Sequence, residues 1–288
     1  MKAMFEMGYL AANVGEQDLL LGLDYMKYVA DFAGVPLLSA NIVGTGGETI
    51  FQQFLVRQIN VAGRPVRVAV IGVISTEFGA EIEETNPGLI VEEYGPKLEQ
   101  LIGQLRGRSD LLILLAHVSD DEALALAARF PQIDLIIASH SGDEPFPAPL
   151  PASGVPIVFA GSNGMHVGVA RFRVEEERAR LGAYSVEKLD GRFDDSPHML
   201  ALLDDYRQMV KAEKLLEAFP RTEYGEAKFT GNESCRRCHS LSSFRFRKEK
   251  HAVAFEGIEE KGHEYDPECV RCHTVGFGYV SGFGTPDT

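Results

Sequence analysis

Apolar residues recur at helical spacing across 18–33 ("DLLLGLDYMKYVADFA"), which predicts a helix capped by Gly34. On either side, "GYLAANV" at 8–14 reads as a buried strand and "VPLLSANIV" at 35–43 as a short strand ending at Asn41. Residues 51–75 hold two strand-forming runs around Ala62-Gly63, a hairpin-like pair whose second member is strongly apolar. A helix fits 92–106. Then "DLLILLAHVSDD" at 110–121 is an apolar strand opening into a polar loop, followed by a short helix at 121–130. "IDLIIASHSGDEP" repeats the strand-then-loop pattern. Beyond a Pro-rich loop at 145–156, "PIVFAGS", "VGVARFRVE" and "ARLGAYSVEKL" predict three antiparallel strands.

Strands alternating with helices, followed by a β-rich end, define an α/β class with mixed sheets and flanking helices. The loops after 118 and 140 both lie at carboxyl ends of strands, where open α/β sheets place their sites. Residues 197–219 form a charged amphipathic helix with Ser196 as N-cap, read as a linker between domains. From about 224 the composition changes: all four cysteines and four of the eight histidines lie there, with few aliphatics. The expected organisation is a domain at 1–192, a linker helix at 193–223, and a small, mostly helical and irregular domain at 224–288 that needs a cofactor to fold.

Composition narrows the function classes. The 45% hydrophobic content supports a sizeable core, and a formal net charge of −14 argues against nucleic acid or an anionic membrane as partner. No run of about 18 apolar residues exists to span a membrane. The first residues contain no signal-peptide pattern, and both ends read as cut, so the expectation is a longer chain with an export signal upstream.

The cysteines fall into two units, "CRRCH" at 235–239 and "CVRCH" at 269–273. Disulfides within each unit would be strained and would leave the histidines without a role. A zinc knuckle is the second reading, but 30 residues separate Cys238 from Cys269, against roughly 15–20 in a zinc ribbon. Covalent haem uses every position: Cys235 and Cys238, then Cys269 and Cys272, reach the two vinyl groups of a porphyrin. His239 and His273 then face the iron. His251 and His263 are the candidate second axial ligands. Haem c at two sites implies redox partner proteins or other cytochromes, and places the chain in the periplasm or on the outer cell surface.

The stretch "KHAVAF…YDPECVRCHTVGFGYVSGF" resembles the multihaem cytochrome c554 group, in which a Lys-His-Ala segment supplies a distal ligand. That group carries further haem motifs, so more are expected downstream. The first 175 residues resemble the calcineurin-like metallophosphoesterases of the 5′-nucleotidase branch. The matching segments are "MGYLAANVGEQDLLLG", "VPLLSANIV", "LLILLAHVSDD", "IDLIIASHSG" and "GVPIVFAGSNGMHVGVARF". The resemblance implies a metallophosphoesterase-like layered fold, a site for divalent metal (manganese, zinc, iron or magnesium) and a phosphate-ester substrate.

The family's metal ligands are only partly present. No Asp-x-His occurs. Gly15-Glu16-Gln17-Asp18 stands where Gly-Asn-His-Glu is expected, so a glutamine replaces the histidine that assists the leaving group. In the last loop the resemblance matches His140, but Gly142 replaces the ligand two residues on. His117 and His140 remain at matching positions, and Glu16 and Asp18 are carboxylates suited to a hard cation. Two outcomes follow: a scaffold without hydrolase chemistry, or a rewired metal site of His117, His140, Glu16 and Asp18.

Overall fold

The longest apolar runs of the chain form the middle of a six-stranded sheet, because strands covered on both faces must be apolar on both. In this computed structural model, all residues but 153, 175–178 and 288 are described. Chain order gives β1 (Ala12–Asn13), β2 (Leu37–Leu38), β3 (Ile42–Gly44), β4 (Phe54–Val61), β5 (Arg64–Ile74) and β6 (Leu89–Val91). These are followed by β7 (Leu111–His117), β8 (Leu135–Ser139), β9 (Leu150–Ala152), β10 (Val155–Val158), β11 (His166–Val174) and β12 (Ala179–Lys188). The main sheet has the order β4-β5-β7-β8-β10-β9, parallel from β5 through β10 with an antiparallel strand at each edge.

The hairpin β4–β5 turns at Ala62 and Gly63, whose φ angles of 50° and 84° give the primed turn that matches strand twist. Along β5 the side chains alternate. Ala69, Ile71 and Val73 pack against Leu98, Leu101, Leu105 and Leu126 of the helices Tyr94–Leu105 and Asp120–Arg129. Val66, Val68 and Val70 face the other way, toward Leu55, Ala179 and the half-buried Phe172 and Val174. Helices, sheet and the β11–β12 ribbon thus make the layers of an α/β fold. A third cluster joins Val14, Leu19, Met26, Ile42, Ile74, Phe78 and Ile82 at the carboxyl end of β5.

Several elements differ from the sequence reading. The strand in "PIVFAGS" does not join β11 and β12: Val155 and Ile157 are buried, and β10 pairs in parallel with β8 inside the main sheet. β11 and β12 make a two-stranded antiparallel ribbon by themselves. The helix expected at 18–33 is interrupted by Gly22 (φ 91°) into a short turn, Gln17–Leu19, and the helix Leu23–Ala33, which ends at left-handed Gly34 (φ 69°) as expected. Of the segment 8–14 only Ala12–Asn13 is strand, and the strand at 35–43 is split by Ser39–Asn41.

Two compact units are present, Met1–Asp194 and Asp195–Thr288. The helix expected as a linker, observed as Pro197–Ala212 and Leu215–Ala218 around left-handed Lys214, belongs to the second unit. It packs there because Leu216 is buried with Ile258 and Val270, and because the Tyr206 hydroxyl donates to Asp266 at 3.1 Å. Among the described residues no helix is long and apolar enough to cross a membrane.

Candidate functional site

The parallel register sets the first site. Ile74, His117 and Ser139 are cross-strand neighbours at the carboxyl ends of β5, β7 and β8. The loop at 13–18 delivers Glu16 to the same point. Glu16 is buried, and its Oε2 lies 2.6 Å from His117 Nε2, while His117 Nδ1 lies 2.9 Å from Ser139 Oγ. A carboxylate can only accept, so Nε2 carries the proton and Nδ1 accepts from the Ser139 hydroxyl. Ser139 Oγ also lies 3.4 Å from the Ala116 carbonyl, a weaker alternative acceptor. Gly15 allows this approach, since a Cβ there would meet the His117 ring at 3.3 Å.

His140 follows in a left-handed conformation (φ 71°), exposed, with its ring 5.4 Å from that of His117. Phe78 contacts both imidazoles, at 5.0 and 4.9 Å between ring centroids, and forms the apolar wall of the site. Behind it, Glu122 accepts from Ser75 Oγ at 2.9 Å and from the Tyr94 hydroxyl at 3.1 Å. Glu122 also closes a capping box with Ser119 that starts the helix Asp120–Arg129. Burial, with the Glu122 charge behind it, pushes the Tyr94 phenol up to about 12.

Of the four candidate metal ligands, Glu16, His117 and His140 bring their ligand atoms within 4.8 Å of one another. Asp18 does not join them: its carboxylate accepts from the Gly15 backbone N–H at 2.8 Å and closes its own loop. The spacing of Glu16 and His117 decides whether the two can share an ion. Two atoms at about 2.05 Å from one zinc at a tetrahedral angle stand ~3.3 Å apart; a 2.6 Å separation would force an angle of roughly 80°. As arranged, Glu16 and His117 are hydrogen-bonded to each other and do not fit an ion held by both. Asn41, which the sequence places at a strand end, is a structural clamp: its amide donates to the Ile74 and Glu92 carbonyls and accepts from the Ile74 N–H.

Sequence reasoning missed Ser139. A serine in a polar loop carries no signal of its own until the pairing of β7 with β8 sets it beside His117.

In the second unit, Cys269, Cys272 and His273 lie at i, i+3 and i+4 of the helix Pro267–His273, on one face. The first unit of the motif runs from the helix Asn232–Arg236 into a turn, with the His239 N–H donating to the Cys235 carbonyl. All four cysteines are free thiols, three of them exposed. Burial, followed by the charges of Asp266 and Glu268, pushes the Cys269 thiol up. Among the described residues no ligand group gathers both cysteine pairs, as a zinc knuckle would; the one cluster there is His263, Asp266 and Cys269.

The residues fit haem. His273 Nδ1 donates to the Ala254 carbonyl at 2.7 Å, which leaves Nε2 as the nitrogen with a free lone pair for iron. The unit also buries few apolar side chains: Val210, Leu216, Ile258 and Val270 among the described residues. Tyr224, Phe229, Leu241, Phe244 and Val280 are exposed. A porphyrin face is the apolar surface such a unit lacks. His251 is exposed, and His263 accepts from the Arg207 guanidinium at 3.2 Å through Nε2.

Comparison with known proteins agrees with both descriptions. Residues 234–287 match the family "Cytochrome c554 and c-prime". A 5′-nucleotidase of Vibrio parahaemolyticus is 31% identical over 159 residues, covering 49% of this chain and 27% of that protein. The chain therefore spans about a quarter of the length of this curated relative. Among solved structures, the calcineurin-like phosphoesterase YfkN of Bacillus subtilis superimposes with a TM-score of 0.59 at 19% identity, over 67% of this chain and 68% of that one. The 5′-nucleotidase precursor of Thermus thermophilus gives 0.58 at 22%, over 73% and 45%. The chain thus joins a unit of the calcineurin-like phosphoesterase fold to a cytochrome c554-type segment.

Proposed function

We propose that the chain is an extracytoplasmic electron-transfer protein carrying at least two covalent haems, with its phosphoesterase-fold unit serving as scaffold or docking body. The observation that carries this reading is the pair of Cys-x-x-Cys-His units, the second laid out on one helix face. Cys235 with Cys238 and Cys269 with Cys272 would attach the haems, and His239, His273, His251 and His263 would offer ligands to their irons. Haem, when bound, supplies one-electron chemistry. The protein attaches and orients it, and redox proteins or other cytochromes exchange the electrons. Attachment of haem c takes place on the export side, hence the periplasm or the outer surface. The test is covalent haem staining with a c-type α-band: colourless protein containing zinc would refute the assignment.

The convergence of Glu16, His117 and His140 favours a second reading, a metal-dependent phosphoesterase acting on a small phosphate ester, as the named relatives do on nucleotides. It requires Glu16 to release His117. Manganese-dependent hydrolysis of an aryl phosphate, lost in His117→Ala, would establish it; an inactive protein supports the scaffold reading.

A further inference from the structure

We infer that Glu16, His117 and Ser139 form a nucleophilic relay, and that the first unit hydrolyses small carboxylic esters through Ser139 without a metal. This leaves the haem assignment of the other unit untouched and gives the first unit a chemistry in place of a scaffold role. The observation is a continuous hydrogen-bond path: buried carboxylate to Nε2 at 2.6 Å, Nδ1 to hydroxyl at 2.9 Å. Both lengths lie within the reach that defines an activated nucleophile, its base and the group that orients the base.

The burial gradient suits the roles. The Glu16 side chain is 6% exposed and that of His117 17%, so the carboxylate is held out of water behind the imidazole. Ser139 ends its strand, half-buried, and the left-handed turn at His140 ends the sheet immediately beyond it. Phe78 packs under both imidazoles and makes the floor of the site apolar, and the exposed His140 ring, 5.4 Å from that of His117, is the nearby group able to polarise an ester carbonyl. The same hydrogen bond that keeps Glu16 and His117 too close for a shared ion is the one a relay needs.

The reaction balances without a co-reactant other than water. Ser139 Oγ bonds to the carbonyl carbon as its proton passes to His117 Nδ1. The ester C–O bond then breaks, and the alcohol leaves with that proton. Water attacks the acyl-serine in the same manner, giving the carboxylic acid and restoring the hydroxyl.

The experiment uses the full chain with a fluorophosphonate reagent and p-nitrophenyl acetate, each with and without EDTA. The expected result is a mass adduct on Ser139, absent in Ser139→Ala. Ester turnover should fall about 100-fold or more in His117→Ala and be unchanged by EDTA. Glu16→Gln should lower turnover while leaving Ser139 available to label slowly, because it disturbs the tautomer and keeps the nucleophile. Ser139→Cys, which preserves the side-chain length, should alkylate with iodoacetamide faster in the folded chain than in urea. Absence of an adduct on Ser139 in folded protein, full turnover in Ser139→Ala, or turnover abolished by EDTA would each overturn the proposal.

Discussion

Replacing Asn41 with alanine should destabilise the first unit more than its small size suggests. The side chain is fully buried and makes three hydrogen bonds, to the Ile74 N–H at 3.0 Å and to the Ile74 and Glu92 carbonyls at 2.8 Å each. Truncation orphans all three groups. Each of the two on Ile74 is sealed from water and costs about 1–3 kcal/mol unpaired. The Glu92 carbonyl lies nearer solvent and adds less. The sum is about 3–5 kcal/mol, a large share of a typical domain stability of about 5–15 kcal/mol. With a urea slope of about 2 kcal/mol per molar, the unfolding midpoint should drop by ~2 M, read by far-UV circular dichroism. Asn41→Asp should be no better, since it keeps one acceptor, loses both donors and buries a charge. A midpoint shift under about 0.5 M in the alanine variant would refute the reasoning, for water would then be reaching the Ile74 groups.

Three further outcomes follow. Gly72→Ala drives a Cβ into Asn13 Oδ1 and sets it 2.8 Å from the Leu38 carbonyl; with backbone on one side it should cost about 1–3 kcal/mol or more in the same urea assay. Ala62→Gly relieves a left-handed alanine in the β4–β5 turn and should add about 0.5–1 kcal/mol, raising the urea midpoint by about 0.25–0.5 M. Tyr94 should ionise near 12 rather than 10, so that Tyr94→Phe removes a late phase from an ultraviolet titration in which burial also raises Tyr184 and Tyr206. The sign follows from the raised value: the neutral phenol favours the folded state, so this contribution is complete below pH 10 and is lost between 10 and 12.

The layered α/β fold was legible because its strands are long apolar runs and its hairpin turn is a local signal at Ala62-Gly63. The two Cys-x-x-Cys-His units were legible for the same reason: five adjacent residues hold the chemistry. What escaped depends on distance along the chain. Asn41 reaches Ile74 and Glu92 across 33 and 51 residues, and Glu16 reaches His117 across 101, so no local pattern announces either. Asp18 was misplaced because its carboxylate chemistry says nothing about loop direction, and the Gly15 N–H claims it. β10 looked antiparallel by its position before two ribbon strands, yet its two-sided apolar pattern required the interior of the sheet.

The pairing of Ile74, His117 and Ser139 on one rung has a consequence for quality control of the chain. A slip of one residue in β7 would turn His117 to the opposite face and separate it from both Glu16 and Ser139. No half-formed version of the site exists in a misthreaded sheet. The fluorophosphonate adduct expected on Ser139 would therefore report, molecule by molecule, that the central strands have found their register.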